Sequence, residues 1–151
     1  MLKIGQKAPE FSLPDQEGKI HSLKDYKGSK VLLYFYPKDD TPGCTTEACN
    51  FRDGYDEFKK MGLVILGVSA DSVKSHKKFA EKFNLQFPLL SDESKDTINA
   101  YEAWGMKKFM GREYEGIFRK SFLINEEGNI EKIYDEVKAK EHAEEVKGDI
   151  H

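Results

Sequence analysis

Val31-Leu32-Leu33-Tyr34-Phe35-Tyr36 is an unbroken apolar run that stops at Pro37. A short continuous apolar run ended by proline predicts a central strand buried on both faces. From Cys44 the pattern changes: Cys44, Ala48, Phe51, Tyr55 and Phe58 recur at 4-3-4-3 spacing, one face of a helix. A buried strand, a short polar loop and a helix thus follow one another between residues 31 and 58.

Outward from this unit, Leu63-Val64-Ile65-Leu66-Gly67-Val68 reads as a second buried strand. Residues 73–83 read as a helix with Val73, Phe79, Ala80 and Phe83 on its apolar side. Phe87-Pro88-Leu89-Leu90 is a short extended piece, and residues 94–103 a short helix. Arg119 to Ile124 and Asn129 to Tyr134 flank Asn125-Glu126-Glu127-Gly128, a hairpin with a four-residue connection. Residues 140–147 form a polar terminal helix. Residues 1–29 are turn-rich, with a small hairpin of Phe11-Ser12-Leu13 and Lys19-Ile20-His21. This order predicts an α/β sandwich with a mixed central sheet flanked by helices, a thioredoxin-like layout. In open α/β sheets ligands gather at the carboxyl ends of strands, here the loop of residues 37–44. No repeat, low-complexity stretch or linker divides the chain, so one domain over residues 1–151 is expected.

Composition excludes several classes. Hydrophobic residues make up 38% and charged residues 34%, with ten Phe and seven Tyr, which argues against disorder. Twenty-four basic and 27 acidic residues leave a net charge of −3, so nothing predicts binding to nucleic acid or to an anionic membrane. No apolar run approaches membrane-helix length, and the opening Met1-Leu2-Lys3-Ile4-Gly5-Gln6 lacks a signal-peptide core. A cytoplasmic protein is the expectation. Only Cys44 and Cys49 are cysteines, which rules out a disulfide-stapled scaffold.

Cys44 is placed for chemistry. Thr41 is a suitable N-cap and Pro42 then occupies the first helical position. Cys44 falls in the first turn, near free backbone N–H groups, where a thiolate is stabilised. A thiol of pKa ~8.5 is about 3% ionised at pH 7, and one of pKa ~6 about 90%. That change needs roughly 3.4 kcal/mol of preference for the anion. A helix terminus gives ~0.3–1 and at most ~2 kcal/mol, so a cation must add to it. Arg52, Arg112 and Arg119 are the candidates, and spacing does not choose among them. On an intact helix, Cys44 and Cys49 lie about 140° apart with Cα atoms ~8.6 Å apart. A disulfide needs less than ~7 Å. Either the two cysteines act independently or the first turns unwind when Cys44 is oxidised. Cys49 also lies off the apolar stripe, beside Arg52, Asp53 and Asp56, nearer solvent than a core cysteine.

Other readings of the pair are weaker. A lone helical cysteine is often a small core residue. Structural zinc takes four protein ligands, whereas His21, His76, His142 and His151 are scattered. A phosphatase loop needs Arg six residues after Cys, and position 50 is Asn. Nothing marks any histidine as the base of a cysteine hydrolase.

Pro37-x-x-x-Thr41-x-x-Cys44 resembles the active-site signature of peroxiredoxins, thiol peroxidases on a thioredoxin fold. The string from Tyr36 to Cys49 is similar to the bacterioferritin comigratory protein (PrxQ) branch. The likeness extends from Gly5-x-x-Ala8-Pro9-x-Phe11 through Val68-Ser69-x-Asp71, Trp104-Gly105-x-Lys107-Lys108 and Gly111-Arg112 to Arg119-x-Ser121-Phe122-Leu123-Ile124. The resemblance implies that Cys44 is the peroxidatic nucleophile. Thr41 would hydrogen-bond thiolate and peroxide, and Pro37 would shield the site. Arg119 would supply the missing cation, oriented by Glu47. Cys49 matches a resolving cysteine that closes an intramolecular disulfide, so the peroxidatic turn must unfold between the two steps. Arg112 and His142 are implied to be structural or surface residues, and Trp104 a packing residue. Phe35 and Trp104 would form an apolar wall admitting organic peroxides.

The function so implied is reduction of hydrogen peroxide and alkyl hydroperoxides, with recycling by a thioredoxin-like reductant. No cofactor or metal is implied, and a monomer is favoured. The alternative is a redox-sensing or chaperone-like protein switched by Cys44–Cys49 oxidation. A general disulfide oxidoreductase is weaker still, because Cys-x-x-Cys is absent.

Overall fold

The computed structural model describes residues 1–150; His151 lies outside the described residues. The chain opens with a small antiparallel hairpin, β1 (Ser12–Pro14) and β2 (Ile20–Ser22). A 3₁₀ turn at Leu23–Tyr26 leads into β3 (Lys30–Phe35). There follow α1 (Pro42–Asp53), α2 (Tyr55–Lys60), β4 (Leu63–Ser69), α3 (Val73–Phe83), β5 (Leu89–Ser91) and α4 (Asp96–Ala100). A second hairpin, β6 (Trp104–Phe109) and β7 (Arg112–Ile117), precedes β8 (Lys120–Ile124), β9 (Ile130–Tyr134) and α5 (His142–Asp149).

The central sheet has five strands in the order β5-β4-β3-β8-β9. β3 pairs in parallel with β4, and β4 with β5, while β8 runs antiparallel to both β3 and β9. The sheet is therefore mixed, as expected. β3 is central and buried on both faces because strand alternation splits it. Leu32 and Tyr34 pack under α1, α2, α3 and α5 with Phe51, Phe58, Phe79 and Val146. Val31, Leu33 and Phe35 pack on the other face with Phe11, Ile98, Tyr101 and Ile117.

Register brings distant residues to one place. Phe35, the last residue of β3, pairs with Lys120, the first of β8. Arg119 therefore stands at the carboxyl end of β3, beside the loop that leads into α1.

The structure departs from the sequence reading in several places. The helical face from Cys44 to Phe58 is divided at Gly54 (φ −94°, ψ 3°). Its phase survives because Phe58 N–H still bonds Gly54 O at 3.0 Å. Helix 94–103 shrinks to α4, since Lys95 and Glu102 take positive φ values on either side. The β8–β9 connection spans residues 125–129 and is closed by Asn125 N–H to Asn129 O at 2.8 Å. The terminal helix is less polar than expected: His142, Ala143 and Val146 are buried. The β6–β7 hairpin has no counterpart in the sequence pattern. It turns through Met110 (φ 52°) and Gly111 (φ 79°), the left-handed pair that a two-residue connection requires.

Candidate active site

The site is built where β3 gives way to α1. Thr41 caps α1 in extended conformation (φ −101°, ψ 155°), Pro42 opens the helix, and Thr45 N–H bonds Thr41 O at 2.8 Å. Cys44 thus sits in the first turn, buried, with its sulfur on the face that packs against the sheet. Arg119 Nη2 donates to Cys44 Sγ at 3.1 Å. Its Nη1 donates to Glu47 Oε1, also at 3.1 Å. One guanidinium therefore bridges two residues a turn apart on α1.

The choice among the three arginines is settled by position. Arg52 is spent on Asp53 and on Phe83 O, at 3.0 and 2.8 Å. Arg112 is exposed at the tip of the β6–β7 hairpin. Only Arg119, among the described residues, donates to Cys44.

Glu47 is 1% exposed. Its Oε2 has no hydrogen-bond partner, and neither has the buried Tyr34 hydroxyl. Burial pushes the Glu47 carboxyl up and the Arg119 charge pulls it back, leaving it at about 8. The Arg119 guanidinium is thus shared between the Glu47 carboxyl and the Cys44 sulfur. Lys107, which donates to Ile117 O at 2.8 Å, adds positive charge nearby. Burial and the Arg119 charge lower its pKa, and the Cys44 charge opposes them.

The geometry equips a first-turn thiol with a helix N-terminus, a fixed guanidinium and a buried carboxyl behind it. Such a set can lower the cost of negative charge on or beside the sulfur. Residues 4–133 match the AhpC/TSA family.

The chain belongs to the peroxiredoxins.

Its relatives place it in the Bcp/PrxQ branch. It is 50% identical to the peroxiredoxin Bcp of Bacillus subtilis over 144 residues, 95% of this chain and 92% of the relative. It is 50% identical to that of Escherichia coli over 141 residues, 93% and 90% of the two chains. Among solved structures, a cysteine-to-serine variant of Xylella fastidiosa PrxQ superposes with TM-score 0.93 at 35% identity, covering 99% of this chain and 95% of that one. The bacterioferritin comigratory protein of Xanthomonas campestris, described for its alkyl peroxide reduction activity, gives TM-score 0.89 at 36% identity, covering 99% and 96%. The fold is thioredoxin-like, and the protein is a thiol peroxidase.

Other residues of this peroxiredoxin fall as follows. Thr41 does not bond Cys44: its hydroxyl donates to Lys38 O at 2.8 Å, which leaves its oxygen lone pairs as acceptors. Pro37 lies in the same loop, half-buried. Cys49 is half-buried on the intact α1, and both cysteines are free thiols. Phe35 is not beside Cys44. Strand alternation turns it to the opposite face, against Tyr101 at 5.4 Å and Phe122 at 6.1 Å between ring centroids. Trp104 packs against that same face and is capped by Lys95 Nζ, 5.2 Å from its ring. His142 is structural, wedged between Ser121 Oγ at 2.8 Å and Glu145 at 2.9 Å. Among the described residues no helix is long and apolar enough to cross a membrane.

Proposed function

We propose that this peroxiredoxin reduces hydrogen peroxide and alkyl hydroperoxides through Cys44 and Cys49, with a thioredoxin-like protein as reductant. The Cys44 thiolate attacks one peroxide oxygen. The O–O bond breaks, the sulfur becomes a sulfenic acid, and water or an alcohol leaves after taking a proton. Arg119 stabilises the negative charge as it passes from sulfur to the leaving oxygen. The Thr41 oxygen accepts a hydrogen bond from the peroxide, and Pro37 closes the loop over the sulfur. Cys49 then attacks the sulfenic sulfur, expelling water and forming the disulfide. The reductant's dithiol reopens it by exchange.

The observation that carries this reading is the 3.1 Å contact of Arg119 with a first-turn cysteine. A second supports the resolving step. Over the first two turns of α1 only Cys44, Glu47 and Ala48 are buried. Phe51 is fully buried, among Tyr34, Phe58 and Phe87 at centroid distances of 4.9, 6.0 and 6.4 Å. Unseating such a ring costs about 3–5 kcal/mol. In this reading, unwinding through Cys49 gives up the Arg119 contacts with Cys44 and Glu47 but no large apolar side chain, and the Phe51 ring opposes its spread. The alkyl hydroperoxide part draws on the Xanthomonas relative. The working unit in this reading is one domain over residues 1–151, a monomer in the cytoplasm with no nucleic acid or membrane partner.

Turnover tests the proposal. With thioredoxin, its reductase and NADPH, each chain should consume many equivalents of hydrogen peroxide and of cumene hydroperoxide. One equivalent consumed and no more would favour the redox-sensing alternative.

A further inference from the structure

Residues 36–41, between β3 and α1, carry Pro37 and Thr41 and, beyond Tyr36 N–H, which bonds Val68 O at 3.1 Å, have no regular hydrogen-bond ladder. Such a loop keeps one conformation only where its polar groups are tied down. Asp39 is the tie, with a side chain 3% exposed. Its Oδ1 accepts from the Tyr36 hydroxyl at 2.6 Å. Its Oδ2 accepts from Ser75 Oγ at 2.8 Å and faces His76 Nδ1 at 2.7 Å. Its backbone N–H donates to Asp71 Oδ2 at 2.8 Å, and Ser69 Oγ donates to that same oxygen at 2.7 Å. The Ser69-x-Asp71 pair at the end of β4 and the first turn of α3 thus both grip the loop.

His76 is wholly buried at the centre of this grip. Its Nε2 lies 3.0 Å from Leu90 O, and a carbonyl only accepts, so Nε2 carries a hydrogen. Nδ1 faces a carboxylate that already accepts from two hydroxyls. An imidazolium on an ionised Asp39 satisfies every one of these contacts, and the pair is neutral overall. Removing either member strands the other as a buried charge, the costly case. Asp39, Asp71 and His76 place possible ligand atoms within 4.8 Å of one another, but protein hydrogen bonds already engage all three.

The loop has strain to release. Asp40 holds φ at 56°, a left-handed value uncommon for a residue other than glycine. Thr41, next in sequence, donates to Lys38 O and accepts the first helical bond of α1 through its carbonyl.

We propose that His76, acting through Asp39, is a positioning residue that latches the 36–41 loop and the Cys44 turn in the form that meets peroxide. This rests on the reading of Cys44 as the attacking thiolate. Freeing the latch depopulates the attack-ready turn and populates the unwound one. Peroxide attack then slows while disulfide closure speeds up, two changes of opposite sign that a general loss of stability does not produce.

Hydrogen exchange on the reduced full-length protein tests the latch without relying on Cys49. His76→Ala should raise exchange in peptides spanning 36–48 by at least about tenfold. Peptides from β4 and β8 should keep wild-type rates. Adding Asp39→Asn removes the stranded charge but does not restore the lost His76 contact, so exchange in 36–48 should stay above wild type. Stopped-flow oxidation of the same proteins should show slower attack and faster closure in His76→Ala. Unchanged exchange in 36–48, a uniform rise across all peptides, or a double variant with wild-type protection would overturn the proposal. If His76→Ala does not fold, Asp39→Asn alone keeps the shape and exchanges the ionic pair for an amide–imidazole one. It should then raise exchange in the same peptides by a smaller factor, and no rise would overturn the proposal. If wild type reacts with peroxide yet forms no disulfide, the role of Cys49 fails while exchange still decides the latch.

Discussion

Arg119 Nη2 stands 3.1 Å from Cys44 Sγ, although 75 residues separate the two in sequence. Antiparallel pairing of β8 with β3 makes the contact, because it returns the start of β8 to the end of β3. In the proposed reaction, an arginine already at the sulfur needs little reorganisation as charge moves. Arg119→Gln should lower the second-order rate of Cys44 oxidation by about 10²–10³, the usual loss for one fixed donor to developing charge. Stopped-flow kinetics with hydrogen peroxide measures it. A rate within a factor of two of wild type would mean that Arg119 serves the fold alone.

Gly43 explains why the arginine fits. A Cβ there would come within 2.6 Å of Arg119 Nη2. The obstructed atom is the end of a flexible side chain, so the guanidinium yields rather than the helix. Gly43 is the second residue of α1, where the preference for alanine over glycine is smaller than the ~1 kcal/mol of a helix interior. Gly43→Ala should keep or slightly raise the melting temperature while slowing peroxide oxidation at least about tenfold, since moving Arg119 off the sulfur forfeits the same donor. Paired thermal melts and oxidation kinetics separate the two effects.

Glu47 should give the protein a pH signature. Its carboxyl is at about 8 in the folded chain against 4.5 ordinarily. Between those values the unfolded chain has lost this proton and the folded chain still holds it. The folded state binds more protons, so this contribution to stability falls as pH rises from about 4.5 through about 8. Its size is on the order of a few kcal/mol. Urea unfolding at pH 5 and pH 8.5 should show a smaller difference between the two conditions in Glu47→Gln than in wild type. An equal difference would place the Glu47 proton elsewhere.

His142 should work in the opposite direction of pH. Burial lowers its pKa below 6.5, opposed by its contact with Glu145 and by Asp149. Below pH 6.5 the unfolded chain takes up a proton that the folded chain resists, so stability is lost as pH falls. An NMR titration of the imidazole should place the His142 midpoint below that of an exposed histidine. A midpoint at or above 6.5 would contradict the burial argument.

The elements around Cys44 were legible because apolar spacing reports burial: β3, the Cys44 face of α1, β4 and α3 all follow it. What escaped was polar or exposed. His76 and the burial of His142 are invisible to a count of apolar positions, and Glu47 is singled out by the family resemblance alone. The β6–β7 hairpin escaped because Met106, Phe109, Met110 and Tyr114 are all exposed, so no face alternates. Phe35 was assigned to the wrong side of the sheet, since a continuous apolar run does not say which face a residue takes. The Arg119 contact depends on strand order, which no local pattern encodes; only the family resemblance singled it out.

The central claim is that Cys44 attacks peroxide and Cys49 resolves it through a helix that unwinds. Intact mass after one equivalent of hydrogen peroxide, for wild type and Cys49→Ser, tests it most directly. Wild type should lose about 2 Da as the disulfide closes, and the variant should gain about 16 Da as sulfenic acid. A wild type that gains about 16 Da and stays there, or an unreactive pair of proteins, would contradict the claim.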